Sequence, residues 1–333
     1  MLSKQLNIPV SNVNLPNKLE FINSYNDSKI NNSNILSELT INNISNDPKY
    51  ISNFEISKQL NYIDIKLLNV PTLLAAIDST SIHIGNCNLG SIFSSRITIV
   101  FSYDKQILDY IRLGPIITLI NENTVDSLAD NSYVKNMLLS HDDFVETYIR
   151  NKLEFNICSK LFKLLNKSII LIDGCLYSYN EEIINNLVNK NFDNKNNLIG
   201  ISKTSKNKSV LHLSDALSLI DKSPIFVDIT NKKNLLLNKY VKILITKLSN
   251  DNLIFRTDIL SNNSNHCANL LSQLLFNDVF SKGYPDSLRL AHHLSIFNKL
   301  DIISIKMLLK KKFDVNIDYN YNRRNTILGS IKS

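Results

Sequence analysis

The pattern of apolar and polar positions changes near residue 60. Residues 1–55 are dense in Asn and Ser, and their apolar residues gather only in Leu19 to Ile22 and Ile35 to Ile41. Such a stretch reads as short helices and loops, partly disordered. Residues 1–60 are therefore expected to extend a larger domain over residues 61–333. From about residue 70 buried-strand patterns begin. Leu73 to Ile77 is a short apolar run that ends in Asp78-Ser79-Thr80, read as a strand whose C-terminal end presents a carboxylate. Ile82 to Ile84 and Arg96 to Tyr103 follow as strands, with Asn86, Asn88 and Gly90 supplying hairpin turn chemistry between them. A β-meander is expected here.

Asp142 to Leu165 contains neither Gly nor Pro and spaces Phe144, Tyr148, Phe155, Ile157, Leu161, Leu164 and Leu165 for one long helix. Strand character returns in Ser168 to Asp173, Leu198 to Ser202, Ile225 to Ile229, Val241 to Lys247 and Leu253 to Ile259. Asn265 to Phe276 and Asp286 to Asn298 read as helices, the second opened by Gly283-Tyr284-Pro285. A meander, a long helix and then β/α alternation predict an α/β fold, a mixed sheet flanked by helices.

Composition narrows the function classes. The 333 residues suffice for one large domain, and 44% hydrophobic with 20% charged residues is a globular balance. No apolar run approaches the roughly 20 residues that cross a bilayer. The first residues lack the apolar segment of a secretion signal, so a cytoplasmic protein without a membrane partner is expected. Cys87, Cys158, Cys175 and Cys267 form no C-x-x-C pair and read as small apolar residues rather than zinc ligands. A net charge of +7 favours polyanionic partners, although many proteins share it. Absence of a G-x-x-x-x-G-K-[ST] loop disfavours a P-loop ATPase, and absence of a G-x-S-x-G elbow disfavours a nucleophilic hydrolase.

Four positions carry the candidate chemistry. Asp78 follows one apolar strand, and Asp173 ends another, where Gly174 permits a tight turn. Ligands of open α/β sheets gather at such strand ends. Asp78 can also be a cap of the turn into Thr80. Glu154 lies on the long helix, where a Glu is ordinarily solvated, and Glu146 sits two turns earlier. His292 and His293 are adjacent on a helix, so one is expected to face the sheet and the other solvent. Three carboxylates and an imidazole make a hard-donor site for Mg²⁺ or Mn²⁺. Lys203 suits a phosphate contact or an ordinary surface role.

Taken in order, five segments resemble the NurA nucleases. They are Ala76-Ile77-Asp78-Ser79, Arg150-x-x-Leu153-Glu154, Leu171-Ile172-Asp173-Gly174-Cys175-Leu176, Gly200-Ile201-Ser202-Lys203-Thr204, and Gly283-Tyr284-Pro285 with Leu290-Ala291-His292. The resemblance implies an RNase H-like core and a Mn²⁺- or Mg²⁺-dependent deoxyribonuclease using two ions. It further implies 5′→3′ exonuclease and single-strand endonuclease activity, a homodimer, and work with a HerA-type hexameric ATPase in DNA end resection and repair. By the same likeness Asp78, Glu154, Asp173 and His292 are the metal residues, with Tyr284 and Lys203 in support. The chain departs from the family pattern at Ser79, where Gly is usual, and at Cys175, where Ser is usual. Two other readings stay open: a non-catalytic DNA-binding subunit of a motor ATPase, and another RNase H-like enzyme such as a resolvase or an RNA-cleaving member.

Overall fold

The computed structural model describes residues 61–129, 131–176, 195–203, 208–230, 240–251, 253–260, 264–315 and 317. The expected extension over residues 1–60 lies outside them. Nine strands form one mixed sheet: β1 (Ile63–Asp64), β2 (Leu74–Cys87), β3 (Gly90–Tyr103), β4 (Gln106–Ile120), β5 (Ile169–Asp173), β6 (Asn197–Ser202), β7 (Ile225–Asp228), β8 (Val241–Lys247) and β9 (Phe255–Leu260). Their order is β1-β7-β8-β9-β6-β5-β2-β3-β4. β2, β5 and β6 run parallel, and every other pairing is antiparallel. The helices are α1 (Ser132–Ser140), α2 (Asp142–Leu164), α3 (Lys208–Ser218), α4 (Ser264–Asn277), α5 (Asp286–Ser295) and α6 (Lys299–Phe313). A small hairpin of β10 (Phe280–Ser281) and β11 (Tyr284–Pro285) leads into α5. A three-stranded meander, a crossover helix and a parallel strand make this the RNase H-like mixed sheet that the resemblance implied.

Strand alternation decides which helix covers which face. In β2, Ala75 and Ile77 join Leu153, Phe155 and Ile157 of α2 in one core. Leu74 and Ala76 point the other way, to Leu270 and Leu274 of α4 and Leu288 and Ala291 of α5. α6 starts from a capping box of Asn298 and Asp301 and buries Ile305 and Leu309 against Ile84 and Ile92 at the hairpin end of the meander.

The long helix stands where its Gly- and Pro-free pattern put it, over Asp142–Leu164. The first strand differs from expectation. It does not end at Asp78 but continues to Cys87, so Asp78 is a mid-strand residue. The polar run Asp78-Ser79-Thr80 is extended backbone with side chains directed to the two faces, not a turn. What does end there is the neighbour: β5 pairs with β2 only from Leu74 to Ile77. Beyond Ile77 the β5-facing edge of β2 is open, which leaves a notch in the sheet.

Candidate metal and phosphodiester site

The notch is the candidate site. A cleft of about 480 Å³ is lined by Asp78 to Ser81 of β2, Asp173 and Gly174 at the end of β5, and Ser202 and Lys203 at the end of β6. Glu146, Thr147 and Arg150 of α2 wall it on one side, with His292 of α5 and Ile296 on the other.

Asp78 and Asp173 both point to the α5 face. His292 Nδ1 lies 2.8 Å from Asp78 Oδ2 and 4.0 Å from Asp173 Oδ2. One ligand atom from each of these three residues lies within 4.8 Å of the others. Ser295, one turn beyond His292, donates to Asp78 Oδ2 at 2.9 Å. Arg96 fixes the end of α5 from beneath. Its Nη1 donates to Ile296 O at 2.8 Å and to Asp301 Oδ2 at 3.1 Å, and the guanidinium stacks 4.2 Å over Phe297. His293 is exposed, so the adjacent pair divides as expected, with His292 turned to the site.

Lys203 Nζ lies 2.6 Å from Asp173 Oδ2 and 5.0 Å from the Tyr284 ring. Tyr284 is 6% exposed. Among the described residues its hydroxyl has no hydrogen-bond partner of acceptable geometry. Burial pushes its pKa up, and the negative charge of nearby Asp173 adds to the shift, so the phenol keeps its proton. Two carboxylates and an imidazole facing one cleft form a donor set that fits a hard divalent cation. Lys203 supplies positive charge opposite the carboxylates.

Glu154 stands apart from this group. Ser79, next to Asp78, points to the opposite face, and its hydroxyl donates to Glu154 Oε1 at 2.5 Å. Glu154 is 4% exposed and lies behind Ser79 and Arg150, both of which line the cleft. Arg150 Nη2 is 3.9 Å from Glu154 Oε1, while Arg150 Nε is buried without a partner among the described residues. The helix carboxylate that lines the open cleft is Glu146, whose Oε1 accepts the His83 amide at 2.7 Å. Five of the six expected residues, Asp78, Asp173, His292, Lys203 and Tyr284, are therefore brought together, and Glu154 adjoins them across β2.

Sequence reasoning missed Ser295 and gave Arg150 no role of its own. Spacing held a signal for both: Ser295 is i+3 from His292, and Arg150 is i−4 from Glu154, the separations that share a helix face. Ser79 does not appear among the non-glycine residues of positive φ, so a side chain there costs no backbone strain. Gly174 has φ +147°, a conformation that favours glycine and turns the chain sharply after Asp173. Cys158 and Cys267 are buried, as expected of small apolar residues. No described helix is long and apolar enough to cross a membrane.

Comparison with known proteins gives the same direction. No curated protein matches the chain by sequence. Among solved structures, the NurA nuclease from Sulfolobus solfataricus is 15% identical with a TM-score of 0.53, the match covering 89% of this chain and 94% of that one. A NurA structure with manganese is 11% identical with a TM-score of 0.42, covering 79% and 92% respectively. The catalytic domain of human endonuclease V is 10% identical with a TM-score of 0.35, covering 72% and 83%. Residues 72–295 match the NurA domain. That span exceeds half of the chain and contains Asp78, Glu154, Asp173, Lys203, Tyr284 and His292, so this protein belongs to the NurA family.

Proposed function

We propose that the chain is a divalent-metal-dependent deoxyribonuclease. The observation that carries the reading is the convergence of Asp78, Asp173 and His292 within 4.8 Å, in a cleft that also presents Lys203 and Arg150. Carboxylates alone would repel a phosphodiester, so the cleft needs a cation to accept one.

Asp78, Asp173 and His292 would hold Mn²⁺ or Mg²⁺, which supplies positive charge to polarise the phosphodiester and eases deprotonation of the attacking water. Ser295 orients Asp78, and the turn at Gly174 orients Asp173. Lys203 and Arg150 stand at the cleft wall to pair with phosphate oxygens, Arg150 as a planar fork and Lys203 as a point charge. Water attacks phosphorus, the bond to the leaving sugar oxygen breaks, and that oxygen departs with the bonding pair and takes a proton. Tyr284, kept protonated, would donate a hydrogen bond to Asp173 or to a phosphate oxygen beside it.

A second ion would draw on Glu154, once its carboxylate leaves Ser79. The finer reading follows the family: 5′→3′ exonuclease and single-strand endonuclease action, a cytoplasmic homodimer, and DNA end resection with a HerA-type hexameric ATPase.

One observation favours a second reading. With Glu154 held by Ser79, the chain could be a DNA-binding subunit that does not cleave. A plasmid-nicking assay with and without Mn²⁺ separates the two. The nuclease reading expects nicking with Mn²⁺ that falls by at least about a hundredfold in Asp78→Asn, since loss of a metal ligand costs at least as much as loss of the partners that orient one. Binding without nicking favours the subunit, and nicking that persists in Asp78→Asn removes the mechanism.

A further inference from the structure

The turn that carries Asp173 is held from behind by a buried ion pair outside the cleft. Gly174 N–H donates to Ile201 O at 3.0 Å, and Leu176 N–H donates to Asp258 Oδ2 at 3.0 Å. The first bond is backbone to backbone, whereas the second depends on a side chain. Asp258 lies in β9 opposite Gly200 of β6 and has 0% exposure. Arg256, two residues away on the same strand face, grips it in a fork, Nε to Oδ1 at 2.9 Å and Nη2 to Oδ2 at 3.0 Å. Gly200 lets the turn lie this close, since a Cβ there would stand 2.6 Å from Gly174 O.

A fully buried carboxylate costs stability unless it is paired, and well-packed apolar residues commonly serve a core at least as well. What the pair does here that an apolar pair cannot is accept the amide three residues after Asp173. We propose that Asp258, held by Arg256, is a positioning residue. It fixes the turn after β5 so that the Asp173 carboxylate stays aimed at Asp78 and His292. The metal arm of its test rests on the cation reading above, and the backbone arm does not.

The test compares the wild-type chain with Asp258→Ala and with the double variant Arg256→Gln, Asp258→Asn. The double variant keeps an acceptor for Leu176 and leaves no unpaired charge, so it remains informative should Asp258→Ala fail to fold. Two quantities are read: Mn²⁺ affinity by titration calorimetry, and hydrogen exchange of the amides at 174–176 by mass spectrometry. Residues that orient a ligand without touching the metal typically contribute about 10–100-fold to affinity. Asp258→Ala is expected to weaken Mn²⁺ binding by about that factor and to speed exchange at 174–176. The double variant is expected to stay within about threefold of wild type in both, on the same scale.

A folded Asp258→Ala with unchanged exchange at 174–176 overturns the proposal, as does one with faster exchange and unchanged Mn²⁺ affinity. Where Asp258→Ala does not fold, a double variant as loose as an unfolded peptide at 174–176 overturns it, and one with wild-type protection upholds it. A wild-type chain that binds no Mn²⁺ sinks the cation reading instead. The exchange result then decides the role of Asp258 alone.

Discussion

Ser79 and Glu154 are joined by a 2.5 Å hydrogen bond between β2 and α2, although they lie 75 residues apart. Both are buried, at 2% and 4% exposure. The bond keeps a carboxylate next to the cleft but out of it. Removing the donor leaves Glu154 short of a partner in a buried site, at a cost of about 1–3 kcal/mol. Ser79→Ala is therefore expected to lower stability by about that amount in urea unfolding without metal. Mn²⁺ should stabilise the variant more than it stabilises the wild type, because a carboxylate no longer held by Ser79 can turn to the cation. Equal stabilisation of the two proteins would show that Glu154 does not take part.

Lys203 is expected to divide binding from catalysis. Its ammonium sits 2.6 Å from Asp173, where it competes with a cation for the carboxylate. Both the half-exposed position of Lys203 and solvent screening limit that competition to about 0–1 kcal/mol. Lys203→Met should bind Mn²⁺ up to about fivefold more tightly, which is the same energy expressed as a ratio. Cleavage should slow nonetheless, since the charge proposed to pair with phosphate is gone. Measuring Mn²⁺ affinity and nicking rate on one preparation checks the split, and a joint fall of both would refute it.

Asp278 gives a pH signature separate from the cleft. It is 3% exposed and accepts hydrogen bonds from Ser287 in the first turn of α5. Burial outweighs the bonds from Ser287 and Val279 and pushes its pKa up to about 6. An unfolded Asp titrates near about 3.9, so between these values the native state holds more protons than the unfolded one. That contribution to stability is fully present below about pH 4 and is lost as pH rises through about 6. Its size is at most about 3 kcal/mol, the equivalent of two pKa units. In urea unfolding across this window the wild type should lose stability relative to Asp278→Asn as pH rises, because Asn mimics the protonated carboxyl and does not ionise. A constant difference would contradict the assignment.

The charge balance leads to a salt dependence. At +7 net charge, with Lys203 and Arg150 at the cleft, binding to DNA should release counterions. Fluorescence anisotropy with a single-stranded oligonucleotide should show log affinity falling linearly with log salt, by about 0.7 per phosphate contacted. Flat affinity would argue against a backbone contact.

Much of the fold was legible because its signals are local. The long helix reads from its Gly- and Pro-free apolar spacing, and β8 reads over Val241–Lys247. α1 and α6 were missed although Asn131 and the Asn298–Asp301 box cap their starts. The end of β2 was misread for a physical reason. Polar side chains in a row resemble a turn, yet here they line a notch that exists only because β5 stops short. The site was legible where one residue type at a strand end sufficed, as at Asp173. Glu154 was harder, since the side of β2 that it meets depends on register between α2 and the sheet. Asp258 and Arg256 gave no signal, because Arg-Thr-Asp in a strand looks like any solvated edge.

A hard divalent cation is expected between Asp78, Asp173 and His292. Anomalous diffraction from crystals soaked in Mn²⁺ tests it most directly. The expected result is a manganese peak within ligand distance of Asp78, Asp173 and His292, with Lys203 displaced from Asp173. A peak elsewhere, or a soaked crystal that keeps the Lys203–Asp173 pair and shows no manganese in the cleft, would contradict the claim.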